Sequence, residues 1–143
     1  MQDFRNLAVW TKAHGITLEV YRLTDGFPRS EMFGLSSQIR RASSSIATNL
    51  AEGCGRTQPE FGRFVQIAFG SACEVEYQLL LARDLGFLTS KSYENVNASV
   101  IEVKCMLNSL LKRIQRDAGQ SKTAFVAYGR RNKGLSCSDL AES

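Results

Sequence analysis

The sequence predicts an all-α protein: an antiparallel up-down-up-down four-helix bundle with a disordered C-terminal tail. Four stretches carry apolar residues at the three- and four-residue spacing of an amphipathic helix, and glycine or proline turn signals separate them. Connections this short favour antiparallel neighbours. The periodicity stops near Gly119, so we divide the 143-residue chain into a bundle domain, residues 1–118, and a flexible basic tail, residues 119–143.

The first helix is predicted over residues 3–24, with two apolar stripes rather than one. One stripe consists of Leu7, Trp10, His14, Leu18 and Tyr21. The second consists of Val9, Ala13, Ile16, Val20 and Leu23. Because this apolar arc is too wide for a helix that is covered on one side only, we expect it to be buried on several sides. His14 is better explained as a core or interface histidine than as a ligand, since no second ligand accompanies it.

The second helix is predicted over residues 35–53, after a connection in which Phe27 and Phe33 are expected to plug the end of the bundle. Its narrow apolar stripe consists of Leu35, Ile39, Ala42, Ile46, Leu50 and Gly53. Small residues on the opposite face would let another backbone come close. The helix is therefore expected to pack on both sides.

The third and fourth helices have clear ends in the sequence. Thr57 is a suitable N-cap and Glu60 stands where a capping box requires it, while Gly86 marks the end of the third helix. This helix is apolar almost all round, which again predicts burial on several sides. The fourth helix begins after Thr89 or Ser90, has a single apolar face and is predicted to end near Arg116.

The composition is that of an ordinary soluble globular protein, with 43% hydrophobic and 22% charged residues. We expect a cytoplasmic bacterial protein by default. No apolar run has the length of a membrane span, and no signal-peptide pattern is present, so we expect no membrane association. The four cysteines are widely spaced and there is one histidine, which argues against a zinc site. No cofactor is expected.

Glu52, Glu74 and Glu76 are candidates for a site built on carboxylates. A di-metal bundle would need Glu-x-x-His pairs on facing helices, and the sequence has none. The alternative is a structural polar network, within or between subunits, in which Gln38 and Asn49 join these carboxylates and arginines partner them. Ser43, Ser44 and Ser45 lack an adjacent base, and no P-loop or dinucleotide fingerprint occurs. We therefore expect no enzymatic activity.

Arg40, Arg41, Arg56 and Arg63 are the candidate nucleic-acid-binding residues. Arg40 and Arg41 lie off the main apolar stripe of the second helix, where they would contact phosphates or, alternatively, form salt bridges within or between subunits. The net charge of +4 permits an anionic partner without requiring one. The tail holds Lys122, Arg130, Arg131 and Lys133 against Asp139 and Glu142, which is half of that excess charge.

One ordered set of residues resembles a known motif. Its central part is Gln38-Ile39-Arg40-Arg41-Ala42, Ser45-Ile46, Asn49-Leu50-Ala51-Glu52-Gly53 and Arg56. Two flanking parts are Phe4-Arg5-Asn6-Leu7-Ala8-Val9-Trp10 with Ala13-His14, and Ala68-Phe69-Gly70-Ser71 with Glu74, Glu76 and Tyr77. The chain resembles, over roughly residues 1–116, the four helix bundle protein family, whose founding members are encoded by intervening sequences in bacterial large-subunit ribosomal RNA genes.

The resemblance implies a helical bundle that assembles into a homo-oligomeric ring, commonly a pentamer, with no known catalytic residue. Relatives that assist diversity-generating retroelements bind nucleic acid and a reverse transcriptase, so RNA or DNA and a reverse transcriptase or another protein are the implied partners. We expect a non-enzymatic oligomeric protein that binds nucleic acid weakly and without sequence preference. The alternative is a structural or scaffolding oligomer.

Overall fold

The fold of the chain, in a computed structural model that describes residues 2–120, is a bundle of four α-helices. Their bounds are Ala8–Thr24 (α1), Leu35–Cys54 (α2), Gln58–Asp84 (α3) and Ser90–Gln120 (α4). No strand occurs among the described residues, and the predicted all-α class is confirmed. The tail predicted from residue 119 lies, from residue 121 onwards, outside the described part of the chain.

The beginning of the first helix differs from its prediction. Phe4–Asn6 forms a separate 3-10 turn, and Leu7 adopts an extended conformation before α1 starts at Ala8. The Asp3 carboxylate accepts a hydrogen bond from the Arg5 backbone N–H at 3.0 Å, which ties this turn to its own preceding residue. The predicted start at residue 3 was therefore wrong, because a local side-chain-to-backbone bond replaces the first helical turns.

The other helix ends follow their capping residues. The predicted capping box is present, with the Glu60 carboxylate accepting from the Thr57 backbone N–H at 3.1 Å. The same carboxylate also accepts from the Thr57 hydroxyl at 2.7 Å. Gly86 has a φ of 80°, which favours glycine just past the end of α3. Thr89 caps α4 by accepting from the Ser92 N–H, but α4 continues to Gln120, four residues past the predicted end.

The four helices pack in a cycle in which α1 and α3 lie on one diagonal, and α2 and α4 on the other. Between α2 and α3, Ser45 meets Ser71, while Gly53 lies against Phe61, so residue numbers rise along one helix as they fall along the other. Lys12 of α1 likewise meets Glu102 of α4 at 3.0 Å. The up-down-up-down order of all four helices stays a prediction, which these pairings favour.

The core takes one apolar stripe from each helix. The stripe predicted for α2 is buried from Leu35 to Gly53, and the Val9 stripe of α1 is buried through Val20. The Trp10 stripe of α1 is not: Leu18 is 59% exposed, and His14 is exposed with its ring stacked on Trp10 at 5.1 Å. The 3-10 turn covers the start of this stripe, where Leu7 is buried and the Trp10 ring lies 4.9 Å from that of Phe4. Among the described helices α1 packs against α2 and α4, so the stripe is exposed from His14 to Tyr21.

The connection between α1 and α2 places its two phenylalanines in different environments. Phe27 is buried and its ring lies 5.5 Å from that of Phe87, as expected for a residue that closes the end of the bundle. Phe33 is 93% exposed, so its predicted burial was wrong within the chain. The Glu31 carboxylate instead turns back to the start of α2, where it accepts from the Leu35 N–H at 3.0 Å.

None of the described helices is both long and apolar enough to cross a membrane.

Candidate nucleic-acid interface

Arg40 lies against the C-terminal end of α1. Its Nε donates to Thr24 Oγ1 at 2.7 Å, and its Nη2 donates to Asp25 Oδ1 at 3.0 Å and to the Tyr21 carbonyl at 3.4 Å. The guanidinium also covers the Tyr21 ring, 4.6 Å from its centroid. The positive charge therefore lies at the C-terminal end of α1, where it offsets the partial negative charge of the helix dipole. Its bonded donors point into the chain rather than towards a ligand.

Arg41, Arg56 and Arg63 are exposed, and no carboxylate of residues 2–120 forms an ion pair with any of them. Arg56 stands in the connection between α2 and α3, with its guanidinium 5.7 Å from the centroid of the Phe64 ring. Arg41 lies on α2 and Arg63 on α3. The four arginines singled out in the sequence thus do not form one cluster. Arg40 is bonded to the end of α1, Arg56 lies near Phe64 in a connection, and Arg41 and Arg63 are exposed on two different helices.

One end of the bundle carries a group of exposed cations that the sequence analysis did not identify as a group. Gly62 packs against Ile114 and Leu111, so the start of α3 and the last turns of α4 are neighbours. Four exposed cations at this end form no ion pair among residues 2–120, and we name them the basic end: Arg56, Lys112, Arg113 and Arg116. Their acidic neighbours in the sequence are Glu60 and Asp117.

Three cations at the opposite end are paired: Arg22 with Glu19, Arg40 with Asp25 and Arg83 with Asp84. Two others, Arg29 and Lys91, are exposed and form no ion pair among the described residues. The two ends of the bundle therefore differ in the availability of their positive charges, although the described residues carry similar numbers of cations at both. Phosphate binding needs cations that are not already partnered, which the basic end provides.

The residues of the predicted polar network lie in separate small groups. Asn49 donates to the Ser45 carbonyl at 2.8 Å and the Ser45 hydroxyl at 3.0 Å, and Ser45 Oγ lies 2.9 Å from Ser71 Oγ across the α2–α3 contact. Glu74 accepts from the buried Gln78 amide at 3.3 Å. Gln38 and Glu52 are exposed and have no side-chain hydrogen bond to a described residue. A single network that joins all of these residues stays a prediction, and it would need contacts between subunits.

Glu76 forms an ion pair that the sequence analysis missed. Its Oε2 accepts from Lys104 Nζ at 2.8 Å, which links α3 to α4, and the ammonium lies 5.6 Å from the centroid of the Phe69 ring. Lys104 is only 8% exposed. Lys104 lies directly after Val103 and three residues before Leu107, on the apolar face of the helix. This position could have indicated from the sequence that its ammonium needs a partner inside the bundle.

The remaining candidates for chemistry are accounted for by packing. Ser43 and Ser44 donate to the carbonyls of Arg40 and Arg41, one turn earlier in α2. Burial, together with the nearby Asp3, raises the pKa of the Cys54 thiol, which lowers its reactivity at neutral pH. Among the described residues no group of three or more histidines, cysteines or acids is arranged to hold a metal ion.

The comparisons with known proteins agree with this architecture. A family model described as 23S rRNA-intervening sequence protein matches residues 5–109. No curated protein matches the chain. Among solved structures, the chain is similar to a protein with unknown function from the S23 ribosomal protein family of Bacteroides thetaiotaomicron, with 26% identity and a TM-score of 0.67, over 73% of this chain and 95% of that chain.

The family match begins three residues before α1 and reaches the second half of α4, so it spans all four helices and the motif on α2. It leaves out the last turns of α4, where three of the four cations of the basic end lie. The matched region is well over half of the chain, and the protein belongs to the family of 23S rRNA-intervening sequence proteins.

Proposed function

We propose that this protein is a non-enzymatic accessory protein that binds the phosphate backbone of RNA or DNA through its basic end, weakly and without sequence preference. The observation that carries the proposal is that Arg56, Lys112, Arg113 and Arg116 are exposed and free of ion pairs within the described chain. Cations of this kind release condensed counterions when they meet phosphates, and that release supplies sequence-independent affinity.

The sequence that follows α4 is also basic. After Gln120 it holds four cations against two anions. No stretch of basic residues is interleaved with aromatic ones, a pattern that would favour base stacking or base readout. The chemistry therefore favours contacts to phosphates rather than to base edges.

The proposal reassigns the predicted binding residues. Arg56 keeps the role predicted from the sequence, while Arg40 is assigned to the end of α1, because its donors are already bonded there. Arg41 and Arg63 are exposed on α2 and α3 and form no ion pair within residues 2–120. Their predicted phosphate contacts therefore stay part of the proposal, beside those of the basic end.

The test is fluorescence anisotropy with labelled duplex and single-stranded RNA and DNA across a salt series from about 50 to 200 mM. The test variant replaces Arg56, Lys112, Arg113 and Arg116 by glutamine. The matched control replaces Arg22, Arg29, Arg83 and Lys91, which lowers the net charge equally at the opposite end. For duplex DNA we expect the magnitude of the slope of log affinity against log salt to fall by about 3.6 in the test variant, if each replaced cation contacts one phosphate, and far less in the control.

A loss of affinity that is equal in the two variants would mean that net charge alone governs binding, and the basic end would lose its assignment. Absence of binding by the unchanged protein at the lowest salt concentration would leave the scaffolding function in first place. That second candidate is favoured by the large apolar residues exposed on a single chain, among them Leu18, Tyr21 and Phe33. A pentameric ring and a reverse transcriptase partner remain proposals that the resemblance supports.

A further inference from the structure

The groove between α3 and α4 contains an opening that the side chains of the bundle do not fill. The opening has a volume of about 210 Å³. Its lining residues are Val65, Gln66 and Phe69 of α3 and Leu107, Asn108 and Leu111 of α4. Pockets for drug-sized ligands have volumes of about 300–1,000 Å³, so this smaller opening suits a single flat ring system rather than a whole cofactor.

The lining of the groove combines an apolar floor with two free amides. Val65 and Leu107 are fully buried, and Phe69 is half-buried beside them. The side chains of Gln66 and Asn108 are more accessible, and neither forms a hydrogen bond to a described residue. An amide offers both donors and acceptors, so these two side chains can bond to the polar edge of a ring that enters the groove.

Two cations lie beside the groove, one on each helix. Lys112 follows Asn108 by four residues on α4, and Arg63 precedes Gln66 by three residues on α3. Side chains at these spacings are neighbours on a helix surface, with Cβ atoms about 5–6 Å apart. Both cations are exposed, and neither pairs with a carboxylate of residues 2–120. The opening is therefore bordered on both helices by available positive charge.

The packing of α4 on α3 supplies a combination that the linear sequence lacks. Basic and aromatic residues are not interleaved along the chain, but the fold places Phe69 in the same groove that Lys112 borders. Proteins that bind single-stranded nucleic acid use this combination, with cations along the backbone and aromatic rings against the bases. Such contacts tolerate any sequence, because every base has a flat face.

We infer that the α3–α4 groove receives one unpaired base of a bound strand, which packs against Phe69 while Lys112 and Arg63 hold the adjoining phosphates. The inference rests on the proposed function and adds a preference to it, for single strands and unpaired nucleotides over a duplex. A paired base would first have to leave its stack, which costs free energy that an unpaired base does not lose. Gln66 and Asn108 can present donors or acceptors, so the groove accepts different bases.

The experiment compares two single strands of equal length and equal phosphate charge, one with its bases and one made of abasic nucleotides. Binding is measured by fluorescence anisotropy at about 50 mM salt. We expect the unchanged protein to bind the strand with bases at least about 5-fold more tightly, the lower end of what one base–aromatic contact contributes. Phe69→Leu keeps an apolar side chain without the ring, so it should abolish this difference and leave the affinity for the abasic strand unchanged.

Phe87→Leu is the matched control, since it replaces another half-buried phenylalanine at the opposite end of the bundle and should keep the difference between the strands. Circular dichroism establishes that both variants are folded. A second measurement needs no substitution: a strand that carries the photoreactive base iodouracil is irradiated in the complex, and mass spectrometry locates the crosslink. We expect the crosslink at Phe69 or at another residue of the groove.

The outcomes separate this inference from the proposed function. Equal affinity of the unchanged protein for the two strands would overturn the inference while phosphate binding survives, and the groove would then suit an apolar side chain of a protein partner. A crosslink found only outside the groove would overturn it too, as would a folded Phe69→Leu variant that keeps the full difference between the strands. Absence of binding to either strand would overturn the proposed function and this inference together.

Discussion

Arg40 joins the beginning of α2 to the last turn of α1 through Thr24, whose hydroxyl oxygen accepts from the guanidinium Nε at 2.7 Å. The same hydroxyl donates to the Val20 carbonyl at 2.7 Å, so Thr24 relays the contact to the backbone of α1. Thr24 is buried, and Asp25 supplies the counter-charge at 3.0 Å. The arginine pair at the centre of the family motif therefore consists of two residues with different roles, one bonded within the chain and one exposed.

Replacing Arg40 with methionine should lower the free energy of unfolding by about 1–3 kcal/mol, because hydrogen bonds to a charged group are lost and the Thr24 hydroxyl loses its donor. Urea unfolding followed by circular dichroism measures this change. Arg29→Met, at an exposed position with no ion pair to a described residue, is the control and should change stability by less than about 0.5 kcal/mol. Equal stability of the two variants would contradict the role assigned to Arg40.

Gly53 is required by the contact between α2 and α3. A Cβ atom at this position would lie 2.7 Å from Phe61 Cδ2 and 2.9 Å from Phe64 Cβ, which is closer than such atoms approach. Gly53→Ala should therefore lower the free energy of unfolding by about 1–3 kcal/mol through overpacking. Gly15→Ala is the matched control: no atom lies within 4 Å of its Cβ position, so helix propensity should raise stability by about 0.5–1 kcal/mol. A stabilising Gly53→Ala substitution would contradict this packing.

Most of the fold could be predicted because its determinants are local or periodic. The α2 stripe from Leu35 to Gly53, the Thr57–Glu60 capping box and the turn at Gly86 depend on spacing and on capping chemistry. The beginning of α1 could not be predicted in the same way. Aspartate is common at helix starts, but the Asp3 carboxylate accepts a hydrogen bond from the Arg5 N–H in a 3-10 turn. The burial of Phe33 was predicted from its hydrophobicity alone. In the structure the Glu31 carboxylate, rather than Phe33, contacts the start of α2.

The candidate site was less predictable because it depends on which charges are neutralised by distant residues. The sequence showed that Arg40 and Arg41 lie off the core stripe, but not that Asp25 and Thr24 lie within reach of Arg40, fifteen and sixteen residues away. Lys104 and Glu76 are twenty-eight residues apart, and only the packing of α4 on α3 brings them together. Periodicity assigns a residue to a face, whereas a pairing needs the register between two helices.

Substitutions at the two partners of the Lys104–Glu76 ion pair should lower the free energy of unfolding by unequal amounts. Glu76→Gln leaves the nearly buried ammonium without its counter-charge, and we expect a loss of about 1–3 kcal/mol, below the 3–5 kcal/mol of a fully buried pair because the Glu76 side chain is 35% exposed. Lys104→Met removes the buried charge and should cost less than about 1 kcal/mol. In a double-mutant cycle measured by urea unfolding, Lys104→Met/Glu76→Gln should resemble Lys104→Met. If Lys104→Met were the more harmful single change, the pair would be net stabilising and this prediction would be wrong.

The capping box at the start of α3 should make stability depend on pH through Glu60. Hydrogen bonds from the Thr57 hydroxyl, and next from its backbone N–H, lower the pKa of Glu60 below its ordinary value of 4.5. The ionised carboxylate therefore contributes stability above the unfolded pKa, and that contribution is lost as pH falls through the lower folded pKa. Glu60→Gln cannot titrate, so the stability difference between the unchanged protein and this variant should shrink as pH falls from about 7 to about 3. Urea unfolding across that range measures the difference, with Glu94→Gln as the control, since Glu94 is exposed and its side chain has no hydrogen bond to a described residue. A difference for Glu60→Gln that stays constant with pH would show that the carboxylate charge contributes nothing to the cap.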